Sequence, residues 1–434
     1  MQSVKSIQRT YYLVISLFWL ATSLPIALFV LLAQARSLDL FQIGIVMGLY
    51  SLTIVLLELP TGGLADTIGR KRVAILAYSF ILLSGLVLLG AFSFPVFLVG
   101  FMLNGVGRAL SSGALDAWFV DALKAAEPEM DLQPAFAKVN TFSLLALGIG
   151  TLGGSLIPDL FSYLPPDGTA VFTPLSMPLA IAGVVYILLI LSVISLVKED
   201  RPSSRGNSWR EGFQGVPSMI KTAVTLTRRN NILLMLLGVA SASGFVLASL
   251  ESFWQPHFAN LFGESGGDKF WFGVIMGGNF LFGMLGNMLI TPINKAMGKR
   301  YGLVAAIFHG LRGVILIGLA LVGNVPLAIA FFWLVYLNMG AVNSLHSTLL
   351  NEQIPSEQRS SMLSIESLAS YIGGAIGGIF LGYIAEQISI STAWVIAGGT
   401  LVLSLFLYLR IEVLQQQERK LEPDGKEIPV LEAS

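Results

Sequence analysis

The stretch Gly62-Gly63-Leu64-Ala65-Asp66-Thr67-Ile68-Gly69-Arg70-Lys71-Arg72 follows Pro60 and separates two long apolar runs. Its glycines permit a tight reversal and a close approach of backbones. Asp66 and Arg70 are four residues apart, so a helical turn between them allows the two to pair. Arg70, Lys71 and Arg72 form a basic triplet. A plain hairpin would need that positive charge but not the ordered glycine, aspartate and glycine spacing. The flanking runs, 42–60 and 73–92, are each close to the roughly 20 residues needed to cross a bilayer.

Similar runs fill the chain. Spans are predicted at 11–33, 42–60, 73–92, 95–122, 137–158, 177–197, 231–261, 270–293, 302–322, 326–350, 361–385 and 390–411. Of the 434 residues, 54% are hydrophobic and 12% charged, about half the charge of a soluble domain. The chain therefore needs hydrocarbon around it. The basic residues test the span count, because they concentrate on the cytoplasmic side of membrane proteins. With a cytoplasmic amino terminus, 22 of the 26 lie on that face. Only Arg36 and Lys269 lie on the other, while Arg108 and Arg312 fall within spans. Losing one span would send the later basic loops to the wrong face. Formal net charge is zero, which gives no electrostatic case for nucleic acid. There is no cysteine, and His257, His309 and His346 form no metal-binding spacing. Neither a cofactor nor a metal is expected.

The spans divide into two sets. Ser143, Leu144, Gly150, Gly153 and Gly154 in span five match Ser367, Leu368, Gly374, Gly377 and Gly378 in span eleven at an offset of 224. Gly69-Arg70-Lys71 is echoed by Gly298-Lys299-Arg300 at 229. Duplication explains both echoes, and repeated halves place a transporter's binding site at their interface. The predicted organisation is a six-helix bundle over 1–198, a cytoplasmic linker over 199–229, a second bundle over 230–412 and a cytoplasmic tail over 413–434.

The loop at Gly62 to Arg72 closely resembles the G-x-L-A-D-x-x-G-R-K pattern between helices two and three of the major facilitator superfamily. With the spans, linker and repeat, the resemblance covers residues 10–412 and points to a bacterial-type member. It implies an all-α membrane protein of twelve transmembrane helices in two pseudo-symmetric six-helix bundles, embedded in the inner membrane with both termini cytoplasmic. It further implies a central cavity and alternating access by rocking of the halves. By the same resemblance Asp66 and Arg70 join an acid near the inner end of helix four, here Asp121, in a latch that also includes Gly62, Gly63, Gly69 and Lys71. Glu58, one turn before the loop, is assigned to this latch. Two features depart from the antiport branches: Ile149 to Gly154 lacks the first glycine and the proline of G-P-x-x-G-G, and span one has no buried acid. Lys295 occupies the place of Asp66 in the second half, which leaves that loop without its own acid.

An ionisable side chain at bilayer depth costs several kcal/mol unless paired or hydrated, so each one is a candidate. Arg108 and Asp116 in span four are eight residues apart, too far along the axis to pair directly but able to line one polar track. Glu251 in span seven stands beside Trp254, Gln255 and His257, a set suited to proton or cation handling. His346 in span ten lies near Asn338 and Asn343 and suggests a polar cavity wall, although a lone histidine is more often a satisfied core residue. Glu366 enters span eleven as a carrier acid or gate partner. Arg312, in a peripheral span, is expected to be a structural pair.

The expected function is secondary active transport, with no enzyme chemistry. The favoured form is proton-coupled efflux of a drug-like or amphipathic small molecule. Proton- or sodium-coupled uptake of a polar nutrient is the alternative, and a non-transporting receptor a third. The expected partners are the substrate, a coupling proton and the lipid bilayer, with the chain acting as a monomer.

Overall fold

The computed structural model describes residues 3–61, 64, 68–199, 230–263, 268–354 and 359–421. Gly62, Gly63 and Asp66, the linker beyond Glu199 and the tail from 422 lie outside the described residues. The described part contains α1 (Val4–Ser23), α2 (Phe29–Ala35), α3 (Leu40–Thr61), α4 (Arg70–Leu89), α5 (Phe94–Ser111), α6 (Ala114–Ala126) and α7 (Gln133–Leu160). A 3-10 turn at Pro174–Ser176 leads into α8 (Met177–Leu196). The second half holds α9 (Asn231–Phe262), α10 (Lys269–Ala296), α11 (Tyr301–Leu321), α12 (Val325–Glu352), α13 (Arg359–Gln387) and α14 (Ile390–Leu421). Helices suit hydrocarbon because each satisfies its own backbone polar groups.

Among the described residues eleven helices are long and apolar enough to span a membrane, with α5 and α6 together forming one of them. The twelfth crossing, first in the chain, is divided. Pro25 supplies no N–H donor, the chain runs through turns from Leu24 to Leu28, and α2 resumes the crossing. The fourth crossing breaks at Ser112 and Gly113, where Gly113 takes φ +71° between α5 and α6. Twelve crossings put both termini on one side, here called the terminal side; the other is the distal side.

The packing differs between these two sides. At the distal side one apolar core joins both halves: Leu28, Val30, Ile43 and Phe97 of the first half share it with Leu250, Phe253, Phe258, Phe332 and Trp394 of the second. At the terminal side the halves keep separate cores. One contains Ile7, Val14, Phe119 and Val193, the other Leu236, Val304, Leu349 and Ile411.

The halves meet where α3 packs on α13 and α7 on α10. Close approach there depends on small residues, as in other membrane helix pairs. A Cβ on Gly44 of α3 would land on the Gly378 carbonyl oxygen, and one on Gly273 of α10 would land on the Ser155 hydroxyl. Gly44 and Gly273 differ by 229 positions, the offset of the loop echo, so the same repeat builds both seams. Gly150 and Gly154 of the altered span-five motif pack against Ser23 and Leu24, where α1 ends.

Candidate functional site

The break in the fourth crossing opens into a cavity of about 270 Å³, lined by α1, α3, α4, α5, α6 and Tyr371 of α13. Arg108 lies in the last turn of α5 and Asp116 in the first turn of α6. A cation at a helix carboxyl end and an anion at an amino end each gain a few tenths to about 1 kcal/mol. The break thus provides both charges with favourable helix ends at a depth where a bare charge is costly. Their neighbours complete the arrangement. The Tyr11 hydroxyl donates to Asp116, and its ring stacks on Phe119 at 4.2 Å. Arg108 lies 5.7 Å from the Phe18 ring centroid and stands near Tyr50. Glu58, assigned from the sequence to the latch, lines this cavity beside Ser112 and lies in the field of Arg108.

Glu251 of α9 is exposed, and Tyr50, Tyr371 and Tyr336 stand near it. They come from both halves, so Glu251 opens on the space between them. A buried polar chain continues from here through the second half. Tyr336 and Tyr408 are neighbours of Arg312, which is 1% exposed. Tyr408 hydrogen-bonds His346 Nδ1 at 2.8 Å, and His346 Nε2 is 3.7 Å from Glu366. His309 bonds Ser404 at 2.8 Å and meets the Tyr408 ring edge-on. The expected ion pair of Arg312 is not found among the described residues; its Nε and Nη2 make no hydrogen bond there.

Three residues grouped with Glu251 have other surroundings. Trp254 is 2% exposed and stacks on Phe332 at 5.6 Å, inside the distal core. Gln255 crosses between the halves: its Oε1 accepts from Val30 N at 2.8 Å and its Nε2 donates to Ile26 O at 2.9 Å. It thereby satisfies backbone groups freed by the break in the first crossing, as buried main-chain polar groups require. His257 is buried against Trp394 at 4.6 Å. The sequence gives helix phase but not which neighbour each face meets. Asn338 is buried and donates to Leu334 O, while Asn343 is exposed.

At the terminal side Arg70 forms an ion pair with Asp121. Gly69 takes φ +95°, and both Glu199 carboxylate oxygens accept from the chain just after it, from Arg70 N at 2.7 Å and Lys71 N at 2.9 Å. Lys71 Nζ donates to Ile194 O and Val197 O, each at 2.7 Å, at the end of α8. Glu199 escaped the sequence reading because it looked like part of the linker. Tyr11, Tyr50 and Tyr371 escaped it because a tyrosine in an apolar run scores as one more apolar residue.

Twelve crossings in two repeated halves around a polar cavity define a multi-pass membrane transporter. The family model of the Major Facilitator Superfamily matches residues 11–323 and 268–432, and the chain belongs to that superfamily. A protein of Bacillus subtilis (strain 168) described as "Uncharacterized MFS-type transporter YxaM" is 19% identical over 422 residues, 95% of this chain and 98% of that one. Among solved structures, the nucleoside transporter NupG superposes with a TM-score of 0.72 at 16% identity, covering 95% of this chain and 99% of that one. A bacterial homologue of the human lysosomal transporter Spinster, inward-facing and unoccupied, gives 0.67 at 13% identity, covering 98% and 99%. A POT family transporter in complex with 5-aminolevulinic acid gives 0.67 at 15%, covering 95% and 99%.

Proposed function

We propose that this chain exports a small amphipathic molecule in exchange for protons, by alternating access in the bacterial inner membrane with both termini cytoplasmic. The observation carrying this reading is the unequal packing of the two sides: one shared core at the distal side, two separate cores at the terminal side. A carrier open toward its termini needs that arrangement, with the bound molecule reaching Arg108, Asp116 and Glu58 from the cytoplasm. Arg70 and Asp121, with Asp66, act as the loop latch. The coupling proton uses the polar chain of the second half, from Glu251 past Tyr336, Arg312 and Tyr408 to His346 and Glu366. His346, between the Tyr408 hydroxyl and the Glu366 carboxylate, can pass a proton from one to the other.

Uptake of a polar nutrient is the second reading. It draws on neighbours described as a nucleoside transporter and a POT family transporter and on the missing proline of the span-five motif. Proteoliposomes holding a pH dye discriminate between the two. Export by exchange moves protons against the substrate and symport moves them with it. Glu251→Gln should uncouple the proton signal from substrate flux. Proton movement in the direction of the substrate would overturn export.

A further inference from the structure

We propose that the cavity at the break of the fourth crossing selects an organic cation: a protonated amine or quaternary ammonium attached to one aromatic ring. The proposal rests on the carrier reading above and narrows it to a substrate class.

The first argument is charge. Asp116, Glu58 and Arg108 line the cavity, and two carboxylates against one guanidinium leave it with a formal charge of −1. The pairing is uneven. Arg108 acts on Glu58, and its other neighbours are the Phe18 face and Tyr50. Asp116 receives the neutral hydroxyl of Tyr11 and is exposed to the cavity. No cationic side chain forms an ion pair with it among the described residues. A charge at this depth calls for a counter-charge, and the cavity leaves that position to the ligand.

The second argument is the wall. Trp19, Tyr78 and Tyr371 face the same space. Aromatic faces attract ammonium groups through the ring quadrupole, with tryptophan the strongest; they offer a carboxylate or sulfonate no such attraction. The third is size. A cavity of about 150 Å³ holds benzene, so 270 Å³ accommodates one ring bearing a short ammonium arm.

The test uses the full chain purified in detergent and titrated calorimetrically with benzyltrimethylammonium, benzenesulfonate and benzyl alcohol, which share the ring and differ in charge. The ammonium should bind at least tenfold tighter than either of the others. Asp116→Asn should remove most of that preference while leaving benzyl alcohol unchanged. If Asp116→Asn does not fold, Trp19→Leu replaces it and should weaken the ammonium severalfold more than the alcohol. Equal or tighter binding of the sulfonate overturns the proposal, as does ammonium binding indifferent to both substitutions. Flux measured separately distinguishes the two readings. Selective ammonium binding without any flux would defeat the carrier but keep the cation site, whereas flux with a preference for anions would defeat the cation site alone.

Discussion

The two loops that join the second and third crossings of each half share a glycine of positive φ and are held differently. Gly69 and Gly298 both take positive φ, +95° and +73°. Both loops receive a glutamate from the end of their own half: Glu199 beyond α8 and Glu412 within α14. These acids are 213 positions apart, as are the starts of α8 and α14 at Met177 and Ile390. In the first half Glu199 accepts from two backbone N–H groups, leaving the Arg70 guanidinium to reach Asp121. In the second, Glu412 accepts from Arg300 Nε at 2.9 Å and Leu303 N at 3.2 Å. The second loop, read from Lys295 as lacking an acid, obtains one from the last helix. The first loop thus ties α4 to both α6 and α8, while the second ties α11 to α14. The first loop's contacts reach α6, which lines the cavity, and should affect function; α11 and α14 contribute nothing to that lining, so the second loop's contacts should affect stability.

Five substitutions probe this difference. The largest effect should come from the seams, where the repeat treats both halves equally. Gly44→Leu and Gly273→Leu should each cut transport about 100-fold by forcing the distal side open, since overpacking a tight contact costs at least 1–3 kcal/mol. Because the chain has no cysteine, engineered pairs across the distal side report closure directly, and efficient cross-linking in both variants would refute the seam. Next is Glu412→Ala, which leaves Arg300 and Leu303 N without their acceptor. A loss of about 2 kcal/mol in stability is expected, with transport per folded molecule nearly unchanged; thermal unfolding beside flux measures both. Glu199→Ala should cost about 1 kcal/mol, because the freed N–H groups at the start of α4 can be rewetted. A larger loss than for Glu412→Ala would reverse the ranking of the two loops. Asp121→Asn should change stability least, by under about 0.5 kcal/mol, because its side chain is 66% exposed and exposed pairs contribute little. Its transport rate should still fall at least fivefold, and a wild-type rate would remove the latch.

The helices were legible because a bilayer imposes a length and an apolar composition that no local ambiguity hides. The charge asymmetry and the repeat then arranged them. The breaks were harder to see. Pro25 and the run Ser111-Ser112-Gly113 carry the chemistry of an interruption, yet each lies within an apolar stretch long enough to read as one helix. Arg108 and Asp116 stood out because charge is rare at that depth. Their partners Tyr11 and Tyr50 did not, since a hydroxyl on an aromatic ring leaves hydrophobic periodicity undisturbed. Gln255 and Trp254 were recognised as unusual and given the wrong surroundings. Which neighbour a helix face meets is decided by packing between distant segments, and a single sequence carries no record of it.

The distal core also has a bearing on temperature. In the carrier cycle proposed above, most apolar surface of the helices would face lipid or other helices at every stage. The surface joining Leu28 and Val30 to Phe253 and Phe258 is different, because opening the distal side exposes it to water. Burial of such surface carries a large heat-capacity change and weakens on cooling. The closed distal side should therefore lose population in the cold, and cross-linking across it should decline as temperature falls. A carrier of this design would slow at low temperature partly because it waits in the wrong state, in addition to the ordinary slowing of each step.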